Sequence, residues 1–341
     1  MARKKRVTPK QNNALIFAGL IALLIVVFAV SLCVGRYSIA PRELLALITG
    51  RADSGSMDGT VFFTMRLPRL IASALIGSAL SVSGATYQGI FRNPLVSPDI
   101  LGAAAGASFG AALAIFLGLG KIWLQVIAFC FGIVGVAISS LAGVRFSGRM
   151  RDNTTTLVLC GMVITAIFSA LISSVKLAAD PYDELPAITF WLMGGLAYVI
   201  KEDILIMLAP LAIGGLLLFL MRFRLNVLSL SDEEINALGV DAGKSRMLVI
   251  LCATLLTSGS VAVGGMIAWV GLIVPHIARL ITGPDYRKLL PASLLIGAVF
   301  LMAVDDAART LLAIELPLGV LTALIGAPLF LALLARSGRD Q

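Results

Sequence analysis

The residues with catalytic potential in this chain of 341 residues are few, and they stand inside apolar stretches. Ser258, Ser260 and His276 carry the side chains of a serine hydrolase, in which a base takes the proton of the nucleophilic hydroxyl. No Gly-x-Ser-Gly motif surrounds either serine, and no spacing rule places His276 beside them. A membrane enzyme is therefore one alternative. His276 follows Pro275 at the predicted end of a span, where we expect a neutral imidazole to bond a loop carbonyl.

The segment Gly239-Val-Asp-Ala-Gly-Lys-Ser245 looks like a phosphate-binding loop. That motif requires four residues between its glycines and a buried strand before them. Here three residues separate the glycines, and no such strand precedes them. We therefore interpret the segment as a polar loop and expect no nucleotide site in this chain.

Asp305 and Asp306 are adjacent acidic residues within a predicted span. Intramembrane acids often mark ion coupling, which makes a secondary transporter a second alternative. Both residues, however, lie near the end of that span, one helical turn before Arg309, and pairing with this arginine is the expected role. Arg66, Arg69 and Arg309 are predicted at the same membrane edge. There they either snorkel to lipid phosphates or form a docking face for an acidic partner.

These residues are embedded in a strongly apolar chain. Hydrophobic residues make up 59% of it and charged residues 13%, whereas a soluble domain has about 45–50% and about 25%. Runs of about 20 apolar residues, the length that crosses a bilayer, recur along the sequence. Because backbone groups in lipid must be bonded within the protein, such spans are helices. The composition predicts an all-α integral membrane protein.

Charge and cysteine usage argue against other classes. A net charge of +8 is explained by Lys and Arg in cytoplasmic loops, so no nucleic-acid partner is expected. The four cysteines lie in apolar runs without C-x-x-C spacing, which argues against disulfides and a zinc site. One histidine is too few for a multi-histidine metal centre, and we predict no metal site.

The apolar runs predict about ten transmembrane helices in a single domain. Their approximate ranges are 14–34, 68–90, 98–119, 122–144, 156–175, 204–221, 247–263, 266–280, 289–308 and 316–335. With both termini in the cytoplasm, the inner segments hold 18 Lys and Arg and the outer segments hold nine. This excess of positive charge on the inner side supports the orientation.

Smaller features are predicted along the same chain. Short helices are expected on the outer side over residues 41–48 and 189–196. Gly102, Gly106 and Gly110 occupy every fourth position of the third span, a spacing that lets another helix approach closely.

The longest polar segment between two spans covers residues 222–246. Ser231 can cap a helix whose positive first turn is acidic, and Gly239 is expected to end it. Ile235 and Leu238 give this helix a narrow apolar face. A short amphipathic helix in water needs a partner, so we interpret the segment as a docking element of a channel or transporter. The acidic residues are Asp232, Glu233 and Glu234.

Several motifs taken together resemble one family. They are Arg66-Leu-Pro-Arg69, Gly84-Ala-Thr-Tyr-Gln-Gly89, Arg92-Asn-Pro-Leu95, Leu101-Gly-Ala-Ala-Ala-Gly106, Trp191-Leu-Met-Gly194, Leu238-Gly-Val240, Val270-Gly-Leu-Ile-Val-Pro-His-Ile-Ala-Arg279, Glu315-Leu-Pro-Leu-Gly319 and Gly326-Ala-Pro328. In these motifs the chain is similar to FecCD-type permeases, and the resemblance extends over about residues 36–336. These are the membrane subunits of ABC importers for ferric siderophores, haem and cobalamin.

The resemblance implies a type II ABC importer permease fold and a division of roles among subunits. This chain would be the membrane subunit and not an enzyme, with no cofactor of its own. A cytoplasmic ATPase dimer that uses ATP and Mg would bind the segment between spans six and seven. A periplasmic binding protein would deliver substrate. A second permease copy would complete the central path in the bacterial inner membrane.

The resemblance also implies roles for individual residues. Arg66 and Arg309 match the arginines that pair with acids on the two lobes of the binding protein. Tyr87 is bulky for its place, and we expect it to pack in the core. The cytoplasmic gate would be formed by Asn93, Leu95, Thr154 and Thr155. The ATPase-coupling residues would be Ser231, Asp232, Glu233, Glu234, Leu238, Gly239 and Val240.

The function that follows is ATP-driven import by alternating access, in which two permease states differ in their affinity for the ATPase and the binding protein. The substrate would be a ferric siderophore, haem or a related chelate, with cobalamin as the alternative. The docking segment favours this importer over the secondary transporter and the membrane enzyme.

Overall fold

A computed structural model describes residues 9–147 and 153–337, and every regular element within these two ranges is helical. A π-helical turn, Val61–Arg66, leads directly into α4. In chain order the helices are α1 (Pro9–Cys33), α2 (Pro41–Ile48), α3 (Met57–Thr60), α4 (Leu67–Ile90), α5 (Ala103–Phe116), α6 (Lys121–Ser147), α7 (Asn153–Ala178), α8 (Glu184–Leu192), α9 (Lys201–Leu220), α10 (Arg222–Leu228), α11 (Asp232–Ala237), α12 (Ala242–Gly264), α13 (Val270–Thr282), α14 (Tyr286–Thr310) and α15 (Leu318–Ser337).

Ten of these helices correspond one to one with the predicted spans. Seven are long and apolar enough to cross a membrane: α1, α4, α6, α7, α9, α12 and α14. The other three, α5, α13 and α15, are shorter apolar helices. The predicted all-α membrane fold is confirmed.

The predicted starts of the third and eighth spans are wrong. The chain makes turns through 97–102, so α5 begins at Ala103, after Gly102 takes a left-handed conformation with φ of 84°. Likewise α13 begins at Val270. It is preceded by positive φ at Gly265 and Trp269, a backbone region that a right-handed helix cannot use. In both places the backbone conformation, and not hydrophobicity, decides where the helix starts.

Of the two predicted short helices, one is found where it was expected and the other is not. The helix predicted over 41–48 is confirmed as α2. The one predicted over 189–196 is misplaced, because α8 starts earlier and stops at Leu192. Two residues later Gly194 has a φ of 71°, which ends the helical path.

The small residues of the third span do let another helix approach. A Cβ built on Gly106 would lie 2.4 Å from the Phe131 carbonyl oxygen of α6, and one on Gly110 would lie 2.7 Å from that of Ile127. The prediction is confirmed for these two glycines. Gly102 acts differently, since it supplies the left-handed residue before α5.

The helices run between two ends of the bundle. We call the end that carries residues 222–246 the segment end, and the other the far end. Helix α14 connects them: its first residue, Tyr286, contacts Asn226, and near its last turn Arg309 contacts Ser31 at the end of α1. Helix α4 runs the opposite way, because Ala85 near its carboxyl end accepts a hydrogen bond from Tyr286.

Candidate functional site

The predicted docking helix at the segment end is present as α11. The Ser231 N–H donates to Glu234 Oε2 at 2.9 Å, and the Glu234 N–H donates back to Ser231 Oγ at 3.3 Å. This reciprocal capping box satisfies backbone donors at the helix start and confirms the predicted cap. Hydrogen bonds from the hydroxyl and backbone N–H of Ser231 lower the pKa of Glu234, and the positive charge of Arg92 lowers it further.

The end of α11 also follows the prediction, but its apolar face does not. Gly239 has a φ of 72°, and the Val240 N–H donates to the Ile235 carbonyl at 3.3 Å, the bond of a glycine-terminated helix. Ile235 is buried in the core, whereas Leu238 is 59% exposed. The predicted common face is therefore wrong, because Leu238 lies past the last helical residue and turns outward. With Phe223 and Leu230, it is one of the exposed large apolar residues in the described part of the segment.

The glycine-lysine-serine sequence after α11 forms a helix start and not a phosphate loop. Asp241 Oδ1 accepts the Lys244 backbone N–H at 3.0 Å, and the two side chains form an ion pair of 3.2 Å. A carboxylate thus occupies the amino-terminal end of α12, where a phosphate would have to bind. The Lys244 hydrogen bond lowers the pKa of Asp241, which keeps that carboxylate charged.

A contact that the sequence did not reveal joins the segment to α14. Asn226 Nδ2 donates to Asp285 Oδ1 at 2.8 Å, and the Tyr286 N–H donates to Asn226 Oδ1 at 2.9 Å. Burial acts to raise the pKa of Asp285. It is outweighed by the Arg287 backbone N–H, the Asn226 amide and the neighbouring cations, so the pKa is lowered. The sequence offers one signal for Asn226: it is a polar residue between Leu225 and Leu228, which are both buried in the structure.

The predicted gate residues lie at the segment end. Asn93 Oδ1 accepts the Leu95 N–H at 2.9 Å, and Leu95 is 53% exposed. Thr155 is exposed in the first turn of α7, while the side chain of Thr154 lies outside the described residues. A Cβ on Gly161 of α7 would meet the Ile100 carbonyl, so the start of α7 packs beside the same α4–α5 link. Their role as a gate remains a prediction.

At the far end, the two arginines with a predicted docking role cap α1. Arg66 Nη1 donates to the Leu32 carbonyl at 2.7 Å, and Nη2 donates to that of Tyr37. Arg309 Nη2 donates to the Ser31 carbonyl at 3.1 Å. The last carbonyls of a helix lack internal partners and carry its negative dipole end. Both side chains are buried, so snorkelling to lipid phosphates is wrong for them.

The acids of the far end neutralise the arginines. Asp305 is fully buried and forms an ion pair with Arg69, whose Nε and Nη2 atoms lie 2.9 Å and 2.8 Å from its carboxylate. The Nη1 atom of Arg69 lies 3.0 Å from the carboxylate of Glu315. Arg309 pairs with Asp306, as predicted, and more weakly with Asp305 at 3.6 Å. The long-range pair Arg69–Asp305 escaped the sequence-based prediction. We call these five residues the far-end cluster.

The other candidate chemistry is not assembled. Ser260 Oγ donates to the Leu256 carbonyl at 2.7 Å, and neither it nor Ser258 bonds His276. The imidazole of His276 makes no hydrogen bond within the described ranges, so the expected bond to a loop carbonyl is not found. Tyr87 is buried and stacks on Phe91, as core packing predicts. Among residues 9–147 and 153–337, no group of three or more potential ligands could hold a metal.

A bundle with seven helices long and apolar enough to cross a membrane fits many membrane proteins, and the comparison with known families decides which one. Residues 23–336 match the FecCD transport family. The chain belongs to that family. The FecCD assignment covers all ten apolar helices, apart from the first part of α1 and the last residue of α15.

Individual FecCD relatives are similar along most of the chain. The molybdate import system permease protein MolB of Haemophilus influenzae is 39% identical over 332 residues, which is 96% of this chain and 98% of that protein. A protein of Helicobacter pylori named as a probable iron chelatin transport system permease is 40% identical over 81% of this chain and 83% of its own length.

A solved structure agrees with this assignment. It is described as an inward-facing conformation of a metal-chelate type ABC transporter, and it is 38% identical. It covers 95% of this chain and 99% of its own, with a TM-score of 0.85. The ABC importer permease fold is thereby confirmed, and the chain is a multi-pass FecCD permease.

Proposed function

We propose that this FecCD permease carries a ferric siderophore, haem or a related metal chelate across the bacterial inner membrane by alternating access. The observation that carries the proposal is α11, a capped, solvent-exposed helix between two spans of a FecCD permease. Its exposed acids and Leu238 offer a partner charge and apolar surface at once. A permease that worked alone would have no use for such a helix.

The partner at α11 is a cytoplasmic ATPase dimer, which hydrolyses ATP with Mg while this chain binds no cofactor. The segment end and both termini then face the cytoplasm. Coupling arises because the ATPase binds the two permease states with different affinity. The contact residues are Ser231, Asp232, Glu233, Glu234, Leu238, Gly239 and Val240.

The partner at the far end is a periplasmic binding protein. A cavity of about 410 Å³ opens beside Arg309 and is lined by Arg36 and Gly35. A Cβ on Gly35 would lie 2.5 Å from Arg66 Nη2 and 3.5 Å from Arg309 Nη1. An acidic side chain of the binding protein would approach Arg309 through this cavity, and Arg66 lies on the other side of Gly35.

A second copy of the chain completes the path. Of an 18-residue window of α7, only 11% is buried, compared with 78% for the window of the span Met57–Ile90, which includes α4. Ser169 and Ser173 lie on the exposed side of α7, and polar groups within spans face a protein interior or a water-filled path rather than lipid. The gate formed by Asn93, Leu95, Thr154 and Thr155 closes that path at the segment end.

Three classes of substrate are candidates: a metal chelate, molybdate and cobalamin. A metal chelate is favoured by the iron-chelatin relative and the metal-chelate transporter. Molybdate is a second candidate, because a relative named for it aligns with 96% of this chain. Cobalamin is the alternative that the resemblance of the motifs implies.

Uptake into proteoliposomes that hold this chain, its ATPase and its binding protein tests the proposal. Labelled ferric siderophore, haem, cobalamin and molybdate are offered in parallel, with and without internal ATP. We expect ATP-dependent uptake of a metal chelate. ATP-dependent uptake of molybdate alone would replace the substrate but keep the mechanism, and uptake that follows an ion gradient without ATP would contradict both.

A further inference from the structure

A polar contact ties the segment, where the ATPase is proposed to bind, to the membrane helices. Asn226 lies in α10 between Leu225 and Leu228, which are 1% and 0% exposed. The two leucines hold α10 against the core. The amide between them uses its donor on the Asp285 carboxylate and its acceptor on the Tyr286 N–H.

This contact is specific to a primary amide. It donates from nitrogen and accepts at oxygen, and few other side chains do both in one plane. Its acceptor satisfies one of the N–H groups that a helix start leaves without an internal partner. Its donor holds Asp285, whose Oδ1 also caps α14 through the Arg287 N–H at 3.0 Å. Asn226 thus makes two hydrogen bonds at the start of α14, one to Asp285 and one to Tyr286.

Two further contacts hold the start of α14 at its junction with α10. The Arg287 guanidinium lies 5.0 Å from the centre of the Phe223 ring of α10, a cation–π distance. Tyr286 Oη donates to the Ala85 carbonyl at 3.1 Å. The start of α14 is therefore bound to α10 on one side and to α4 on the other.

Helix α14 extends this junction across the bundle. It is one helix of 25 residues, about 37 Å long at 1.5 Å per residue. Near its other end Asp305 holds Arg69 of α4, and Arg309 caps α1. The contacts at its two ends join α10 to the far-end cluster through one continuous helix, which contains Pro291. Such a helix is a physical route along which a displacement can pass.

We propose that Asn226 is a positioning residue through which movement of segment 222–246 passes to α14 and then to the far end. The inference rests on the proposed ATP-driven import and adds its route within the chain. Asn226 touches neither ATP nor substrate in this role. It sets where α14 stands when the ATPase moves the segment.

The first test measures uptake per ATP hydrolysed by the reconstituted complex. Asn226→Ala is expected to retain ATP hydrolysis and complex assembly while the ratio falls about tenfold, the size of a typical coupling energy. The matched control is Ser78→Ala, because Ser78 Oγ donates to the Leu294 carbonyl of α14 at 2.9 Å without contacting the segment. It removes a similar hydrogen bond and should keep the wild-type ratio.

A paired substitution separates positioning from folding. Asn226→Asp keeps the size and the acceptor but sets a carboxylate against Asp285, so we expect the low ratio again. Adding Asp285→Asn restores a donor–acceptor pair across the contact, and the ratio should rise. A double variant as poorly coupled as Asn226→Asp alone would overturn the proposal. So would Asn226→Ala if uptake and hydrolysis fell together with the melting temperature.

The second test needs no substrate. With the native cysteines replaced by alanine, Ile314→Cys reports on the end of α14, since Ile314 is 80% exposed. Tyr182→Cys, in the exposed link after α7, is the control. ATP with vanadate should change the rate of maleimide labelling at position 314, and Asn226→Ala should abolish that change.

The two tests fail in different ways. Labelling at position 314 that ignores ATP in the otherwise unmutated chain would overturn the transmission route. Absent uptake in the same preparation, with labelling still sensitive to ATP, would count against the proposed substrate and leave Asn226 in its role.

Discussion

At the residue scale, Arg66 and Arg309 have a structural role at the far end whether or not a partner docks on them. Arg66 is 5% exposed and Arg309 is 6% exposed, and both donate to carbonyls at the end of α1. A guanidinium suits this position because it carries several donors and stays charged. A docking acid must therefore attract arginines whose donors are already engaged.

This role predicts a stability change in the absence of any partner. Arg66→Ala should lower the free energy of unfolding by about 2 kcal/mol, the value of a hydrogen bond to a charged group. Thermal unfolding of the purified permease in detergent measures it. Arg42→Ala is the control, since Arg42 is exposed on α2 and makes no hydrogen bond within the described ranges. An unchanged melting temperature for Arg66→Ala would contradict the structural role of this arginine.

Sequence reasoning reached the local contacts at this scale and missed the distant ones. Arg309 and Asp306 are three positions apart on one helix, so their pairing follows from helical geometry. Arg69 and Asp305 are 236 positions apart, and no local pattern connects them. The same is true of Asn226 and Asp285, 59 positions apart. Such pairs depend on which helices meet.

At the element scale, glycines decide how closely the helices pack. A Cβ built on Gly84 of α4 would lie 1.8 Å from the Gly271 carbonyl oxygen of α13. The obstructing atom is backbone, so the neighbour cannot move aside as the tip of a side chain would. Helices α4 and α13 therefore meet at a distance that only glycine permits.

A methyl group at this position should separate the two helices. We expect Gly84→Ala to cost about 3 kcal/mol or more, the upper range for overpacking, and to lower the melting temperature and ATP-dependent uptake together. Gly120→Ala is the matched change, because a Cβ there would have open space around it. Equal stability of the two variants would refute the close contact.

The capping box of α11 predicts a pH dependence. The pKa of Glu234 is lowered by Ser231, so its contribution to helix stability is complete above the ordinary glutamate value of about 4.3. The contribution is lost as the pH falls through the lowered pKa, when the carboxylate takes up a proton. Hydrogen exchange of the peptide covering 229–241, corrected for intrinsic rates, should show protection falling below about pH 4.

Glu234→Gln isolates this effect from Asp241, whose pKa is also lowered. The amide cannot ionise, so we expect weaker protection at neutral pH and no further loss over the acidic range from this position. Wild-type protection that persists at pH 3 would contradict the capping role.

Hydropathy predicts where the long helices lie, but it does not predict where every helix begins. Long apolar runs located the ten helices to within a few residues. The starts of α5 and α13 were missed because they depend on positive φ at Gly102 and Trp269. A glycine hints at such a conformation, but a tryptophan in the left-handed region has no warning in the sequence.

At the scale of the whole molecule, α7 is largely exposed in a single chain, with 11% of its 18-residue window buried. The exposed side of α7 divides into a hydroxyl face with Ser169 and Ser173 and an apolar face with Ile167 and Leu171. The hydroxyls donate to carbonyls four residues back within α7, so they keep oxygen lone pairs for water. In the proposed dimer the first face would border the central path, and the second would border lipid or another apolar surface.

Thiol accessibility tests this division. With the native cysteines replaced, Ser173→Cys should react with a membrane-impermeant thiol reagent in the assembled transporter. Ile167→Cys, on the apolar face of the same helix, should react far more slowly. Equal rates at the two positions would show that α7 does not border water on one side.

The cap on α1 has a consequence for how the nascent chain is assembled. Helix α1 is apolar enough to leave the translocon by itself, with a mean hydropathy of 3.0. Arg309, which bonds the Ser31 carbonyl, is 278 positions downstream, so it reaches the bilayer only after eight further apolar helices have been synthesised. Arg66 reaches the Leu32 carbonyl together with the second apolar helix, whereas the Ser31 carbonyl gains its arginine only with the ninth. A chain truncated before α14 would therefore leave the end of α1 without this second cap.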